Sequence, residues 1–176
     1  MSQLKIGDVV FVNHLKSNIS KLFSKVMGSN WSHSAIVYEI VNDRVLLCET
    51  SDYQVNLNWY DRYENDENCR IEVLRHPDYD NVIKGNEVAI QEESDKLNGE
   101  LYGYLQLPFH ALRILLKRKI SLLITQGWVC CQVVVKVLSR IPDSGFENKD
   151  PKQCDTEELY QNLKNNGWIS VYKTDV

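Results

Sequence analysis

The sequence predicts an α+β domain, a small antiparallel sheet packed against helices. Three observations carry that expectation. Apolar segments in the first half are short, rich in Val, Ile and Tyr, and separated by turn residues, as strands are. Apolar segments in the second half are longer and recur at helical spacing. Strands first and helices after is the order of an α+β fold rather than of alternating βα units. The 176 residues, 43% hydrophobic and 25% charged, suffice for one packed core. Residues 1–176 are therefore expected to form a single domain.

The elements follow in order. Gly7-Asp8 reads as a turn into a short buried strand, Val9-Val10-Phe11-Val12. Ser17 to Met27 carries Ile19, Leu22, Phe23 and Val26 at helical spacing and is followed by Gly28, a common helix stop. His33 to Val41 reads as a strand, Asn42-Asp43 as a hairpin turn, and Val45 to Glu49 as the partner strand. Tyr53 to Leu57 and Ile71 to Leu74 read as further strands around a polar segment, Asp61 to Asn68. Helices are expected over Asp80 to Leu97, over Leu105 to Leu116 as one helix or two short ones, and over Trp128 to Leu138, the last apolar on most sides and so central. Asp155-Thr156-Glu157-Glu158 resembles a capping box. It opens a helix that stops at Asn166-Gly167, before a last strand at Trp168 to Tyr172.

Composition excludes some functions. A net charge of -4 and a pI near 5.6 argue against nucleic acid as a partner, since phosphate neutralisation needs a basic surface. The N-terminus, Met1-Ser2-Gln3-Leu4-Lys5, has no apolar signal region. The apolar stretches around Leu112-Leu116 and Ile120-Ile124 are interrupted by Lys117-Arg118-Lys119, so no stable membrane insertion is expected. A cytoplasmic location is expected, a viral or phage-encoded protein included. Cys48, Cys69, Cys130, Cys131 and Cys154 are odd in number and scattered, so reduced thiols are expected rather than a disulfide framework. Without a CxxC pair no structural zinc site is expected, and no metal or organic cofactor is required.

Cys130 is the leading candidate for chemistry. Gly127-Trp128 breaks the chain just before it, placing the thiol in the first turn of a helix. A helix N-terminus favours the thiolate and offers free N–H groups to an oxyanion. As a residue alone, Cys130 also reads as a small buried hydrophobe, and Cys131 as its structural neighbour. His33, at the start of a strand, is the candidate base. If Asn42-Asp43 is a hairpin turn, Glu49 falls near Ala35 or Ile36, within a residue or two of His33. There it can accept the imidazole N–H and fix the tautomer. The plain alternatives are an exposed strand-end histidine and a rim carboxylate. His14, His76 and His110 are rival bases. Glu64, Asp66 and Glu67 read as a solvated acidic run, and Tyr102-Gly103-Tyr104 as groove-lining or packing residues.

The order His33, Glu49, Cys130 resembles the circularly permuted NlpC-type papain-like cysteine hydrolases, a superfamily that includes relatives of lecithin–retinol acyltransferase. The resemblance runs from Gly7 to about Leu159 and rests on five segments. These are Gly7-Asp8-Val9-Val10-Phe11, Ser32-His33-Ser34-Ala35-Ile36-Val37-Tyr38, Leu46-Leu47-Cys48-Glu49-Thr50, Gly99-Glu100-Leu101-Tyr102 and Trp128-Val129-Cys130-Cys131-Gln132-Val133-Val134. It implies a permuted papain-like fold with Cys130 as nucleophile, His33 as base and Glu49 as orienting carboxylate. Cys131 stands for the family's usual Ser, Gln132 for Glu, and Thr50 for Ala. These departures leave the three residues intact and alter the surroundings of the thiol. The implied activity is a thiol peptidase or amidase working through an acyl-enzyme on a peptide or amide. A lipid acyl hydrolase or acyltransferase using the same residues, and a non-catalytic binding module, are the alternatives. Nothing in the sequence bears on oligomeric state.

Overall fold

The computed structural model describes residues 4–16, 29–51, 53–103 and 127–174. Its strands are β1 (Val9–His14), β2 (His33–Val41), β3 (Arg44–Ser51), β4 (Gln54–Trp59), β5 (Cys69–Arg75) and β6 (Ile169–Lys173). They form one antiparallel sheet in the order β4-β3-β2-β1-β5-β6. The helices are α1 (Asp61–Glu64), α2 (Tyr79–Val82), α3 (Glu87–Leu97), α4 (Cys130–Leu138) and α5 (Thr156–Asn165). The architecture is α+β, as expected. The helices expected over Ser17–Met27 and Leu105–Leu116 lie outside the described residues, as does His110. Among the described residues no helix is long and apolar enough to cross a membrane.

β1 is an unbroken apolar run because both of its faces are covered. Val9 and Phe11 enter the larger core with Ile36, Cys48 and Leu74 and with α3, α4 and α5. Val10 and Val12 enter a smaller core on the opposite face, with Ala35, Val37, Leu47 and the tyrosines Tyr60 and Tyr63. Period-two alternation divides the strand between the two. α4 is buried along nearly its whole length. Each fully buried Val or Leu contributes roughly 1.5–3 kcal/mol. Beneath α4, buried Glu93 accepts from Arg140 Nε at 3.1 Å and lies 3.4 Å from Lys136 Nζ, which fixes the helix against α3.

Two local readings change. The helix expected over Asp80–Leu97 is divided into α2, a 3-10 turn at Lys84–Asn86, and α3. Gly85 and Asn86 are poor helix formers. The Asn86 side chain takes the Val82 carbonyl at 2.8 Å while its backbone N–H turns to Ile83. The polar segment Asp61–Asn68 contains α1, and its single aromatic, Tyr63, is buried. The hairpin is as expected. Asn42 and Asp43 have φ of 50° and 61°, the left-handed pair of a two-residue turn, and Val41 faces Arg44.

The approach to α4 is stitched in place by backbone. Trp128 N–H donates to Leu101 O at 2.8 Å and Gly103 N–H to Trp128 O at 2.9 Å. The 101–103 segment hangs in turn on Tyr53 through the Tyr102 N–H, at 2.8 Å. Gly127 makes this approach possible. Its φ is +77°, and a Cβ there would lie 2.7 Å from Gly103 N and 2.8 Å from Leu101 O, with backbone that cannot yield. Gly127→Ala is expected to cost about 1–3 kcal/mol, read as a lower Tm, and to slow reagent labelling of Cys130. Unchanged Tm and labelling would sink this account of the α4 approach.

Candidate active site

The β2–β3 register pairs Ile36 with Cys48, so the next position sets Glu49 opposite Ala35 and diagonal to His33. Diagonal neighbours are within reach of long side chains. His33 Nε2 lies 2.7 Å from Glu49 Oε2. The carboxylate is fully buried while the ring is 15% exposed. With Nε2 committed to Glu49, Nδ1 is the nitrogen left for the thiol. Cys130, the first residue of α4, lies beside the His33 ring, the Ser34 backbone N–H and the Cys131 thiol, each of which favours its thiolate. Thr156 Oγ1, at the start of α5, is 3.9 Å from its sulfur. The structure therefore brings together the three residues picked out from sequence.

Glu49 is held from further directions that the sequence did not disclose. Tyr63 OH donates to Oε2 at 2.7 Å, Asn58 Nδ2 donates to Oε1 at 2.9 Å, and Arg62 NH1 is 3.4 Å from Oε1. Asn58 also donates to Ser51 Oγ at 2.8 Å. A buried carboxylate needs such partners. The one available hint was a lone aromatic, Tyr63, in an otherwise polar stretch. Gln132 reaches back so that its Oε1 accepts from Val129 N–H at 3.4 Å, half of a capping box. Lys152 closes the approach: its ammonium donates to Gly127 O and sits 3.6 Å from the Trp128 ring centroid. Burial brings the Lys152 ammonium down to about 8.

The rivals lie elsewhere. His76 is buried, accepts from Asp78 N–H at 3.1 Å and meets Trp168 edge-on. His14 ends β1, with Nδ1 3.1 Å from Cys69 Sγ. His14, Asp66 and Cys69 bring metal-ligating atoms within 4.8 Å of one another. Glu64 and Glu67 are exposed and Asp66 is half-buried, in line with a solvated run. Tyr102 bridges to Trp128, and Tyr104 lies outside the described residues.

The electrostatics set the protons. For Cys130, the Cys131 hydrogen bond outweighs burial and, with the bond and charge of His33 and the Ser34 N–H, holds the thiol well below its ordinary range. Burial opposes charge on His33, but the bonds to Cys130 and Glu49 prevail and push the ring up to about 10. Burial would raise Glu49, yet His33, Tyr63 and Arg62 keep it below the usual carboxylate value. Burial and the Glu49 charge raise Tyr63 far above its usual range, so it stays a donor. Cys130 thus faces His33 as thiolate to imidazolium. Cys131 is raised by its bonds to Cys130 and Cys154, and burial lifts Cys48 and Cys69 to about 12.

These directions fix a pH window. The imidazolium's contribution to stability is complete below the ordinary 6.5 and vanishes as pH rises through about 10. The thiolate's contribution is complete above the ordinary 9.0 and is lost as pH falls through its depressed folded value. Iodoacetamide is therefore expected to alkylate Cys130 at near-neutral pH while Cys48, Cys69 and Cys131 stay silent. Peptide mapping by mass spectrometry reads this. Labelling of Cys130 that rises only at the pH of an ordinary thiol would refute it.

The fold and site together define an α+β protein with a cysteine at the start of a buried helix, beside a histidine held by a buried glutamate. No family model matches the chain, and neither does any curated protein. Among solved structures the chain is similar to the metalloprotein yiiX from Escherichia coli O157:H7 (DUF1105), with 14% identity, 98% of each chain covered and a TM-score of 0.65. At that identity the likeness is one of fold, and it extends over nearly the whole length.

Proposed function

We propose that this chain is a cysteine-dependent hydrolase of the permuted papain-like, NlpC-type group, cleaving an amide through an acyl-enzyme. The observation that carries the reading is the placing of Cys130, at the start of α4, beside the His33 ring, whose Nε2 lies 2.7 Å from the buried Glu49 carboxylate, with the thiol depressed and the ring raised. A thiol beside a histidine that is oriented by a buried carboxylate is the arrangement such a site needs.

In this reaction the Cys130 thiolate attacks the carbonyl carbon. The backbone N–H groups of Cys130 and Cys131, which as first helical residues have no intrahelical acceptor, serve the oxyanion. As the tetrahedral species collapses, the C–N bond breaks, and the His33 imidazolium gives its proton to the leaving amine. The neutral ring then takes a proton from water as that water attacks the thioester. The acid departs and the thiolate–imidazolium pair returns. Glu49 holds the ring and balances its charge throughout.

The test is a panel of peptide, acyl-amide and phospholipid substrates presented to wild type and to Cys130→Ala. Amide cleavage that depends on Cys130 is expected. Cys130-dependent turnover of phospholipid with amides untouched would replace the amidase reading with an acyl-lipid one. No turnover, with Cys130 also inert to alkylation, would leave a binding module.

A further inference from the structure

We propose that His14, Asp66 and Cys69 form a binding site for a transition-metal dication, zinc foremost, where β1 ends and β5 begins. The inference is independent of the hydrolase reading. His14 and Cys69 are cross-strand partners, so the sheet itself sets their spacing. His14 Nδ1 lies 3.1 Å from Cys69 Sγ, and Asp66 Oδ2 lies 3.4 Å from the same sulfur. One ligand atom from each residue falls within 4.8 Å of the others. Zinc holds N, O and S ligands at about 2.0–2.3 Å, which sets tetrahedral neighbours roughly 3.3–3.8 Å apart. The sulfur contacts need to open by no more than a few tenths of an ångström to admit the ion.

The surroundings fit a ligand set. Asp66 Oδ1 accepts from both the backbone N–H and the side-chain amide of Asn68, each at 2.9 Å. That leaves Oδ2 turned to the sulfur, the kind of outer support that orients metal ligands. One nitrogen, one oxygen and one thiolate make a borderline-soft set that suits zinc better than magnesium or calcium. Cys69 is buried, while His14 and Asp66 are half-buried, so the ion has a path from solvent. On loading, the Cys69 proton leaves to solvent and the thiolate becomes a ligand. His14 binds through neutral Nδ1 with its proton on Nε2. Water completes the coordination. The ion would clip β1 to β5 beside Tyr63, whose ring centroid is 5.9 Å from the rings of both His14 and His33.

The experiment titrates metal-free protein with Co²⁺, a spectroscopic stand-in, and with Zn²⁺ by equilibrium dialysis. A stoichiometric complex with a thiolate-to-cobalt charge-transfer band is expected, and the same band in Cys130→Ala. Cys69→Ser should abolish the band. His14→Ala and Asp66→Asn should each weaken Zn²⁺ binding at least about 10–100-fold. Zn²⁺ should raise the Tm of wild type and not of His14→Ala. Absence of saturable binding, or a band that survives Cys69→Ser, would overturn the proposal. So would a band lost in Cys130→Ala, because the metal would then sit on the Cys130–His33 pair. If Cys69→Ser does not fold, unchanged affinity in both His14→Ala and Asp66→Asn overturns it.

Discussion

Cys130→Ala is expected to lower turnover by at least about a thousandfold and to abolish selective alkylation. His33→Ala should do nearly the same, and the double variant no worse than either single one, because residues acting as one unit are not additive. The physical ground is that each group sets the other's protonation. Without the imidazolium, Cys130 loses both the bond and the charge of His33 that help hold it down against burial. Without the thiolate, His33 loses the bond and the charge that help lift it to about 10. The adjacent thiol separates this reading from its nearest rival. Cys131→Ser keeps a hydrogen-bond donor beside Cys130, so activity is expected to survive within about tenfold. Cys131 Sγ lies 3.2 Å from Cys154 O, and the thiol is raised well above its usual range, the state of an inert thiol. Retained turnover in Cys130→Ala together with its loss in Cys131→Ser would assign the chemistry to the wrong neighbour and sink the proposal.

Glu49 is expected to show the second large effect, and on two readouts. Glu49→Ala leaves the buried donors of His33, Tyr63 and Asn58 without an acceptor. Breaking one side of such a buried charged network costs about 3–5 kcal/mol. In a chain of this size that is a Tm drop on the order of 10 °C. Glu49→Gln preserves the shape and one acceptor but removes the charge. Its stability loss should be smaller, while the His33 ring, deprived of its counter-charge, moves back down toward the ordinary 6.5. The thiolate–imidazolium window should then narrow from its alkaline side. Hydrolysis would fail at a lower pH than in wild type, where it persists until pH passes about 10. A pH–rate profile of both variants beside their thermal unfolding separates the roles. A pH profile in Glu49→Gln identical to that of wild type would show that Glu49 is structural alone.

Much of the frame was legible because its signals are local. The Asn42-Asp43 turn and the apolar segments flanking it gave a hairpin, and a hairpin has few possible registers. From that alone Glu49 could be placed beside His33, and in the structure their side chains meet at 2.7 Å. The Gly127-Trp128 break put Cys130 at a helix start, where it is found. The division of Asp80–Leu97 was written in Gly85-Asn86, but the apolar period on both sides masked it.

What stayed hidden is whatever depends on residues far apart in sequence converging in space. Tyr63 and Asn58 come to Glu49 from α1 and β4, and nothing in their immediate neighbours marks them as partners of a carboxylate. His14 and Cys69 meet because β1 and β5 pair in one register, and a shift of a single residue would turn one of them to the opposite face. The sequence by itself determined the α+β order of elements, the turn that couples His33 to Glu49, and the thiol at the head of α4. Periodicity and turn chemistry are properties of neighbouring residues, and they suffice for that. Tertiary structure decided which donors clamp Glu49, that Cys130 comes to lie beside His33, and that His14, Asp66 and Cys69 converge. Each of these follows from burial and strand register, which exist only once the chain has packed.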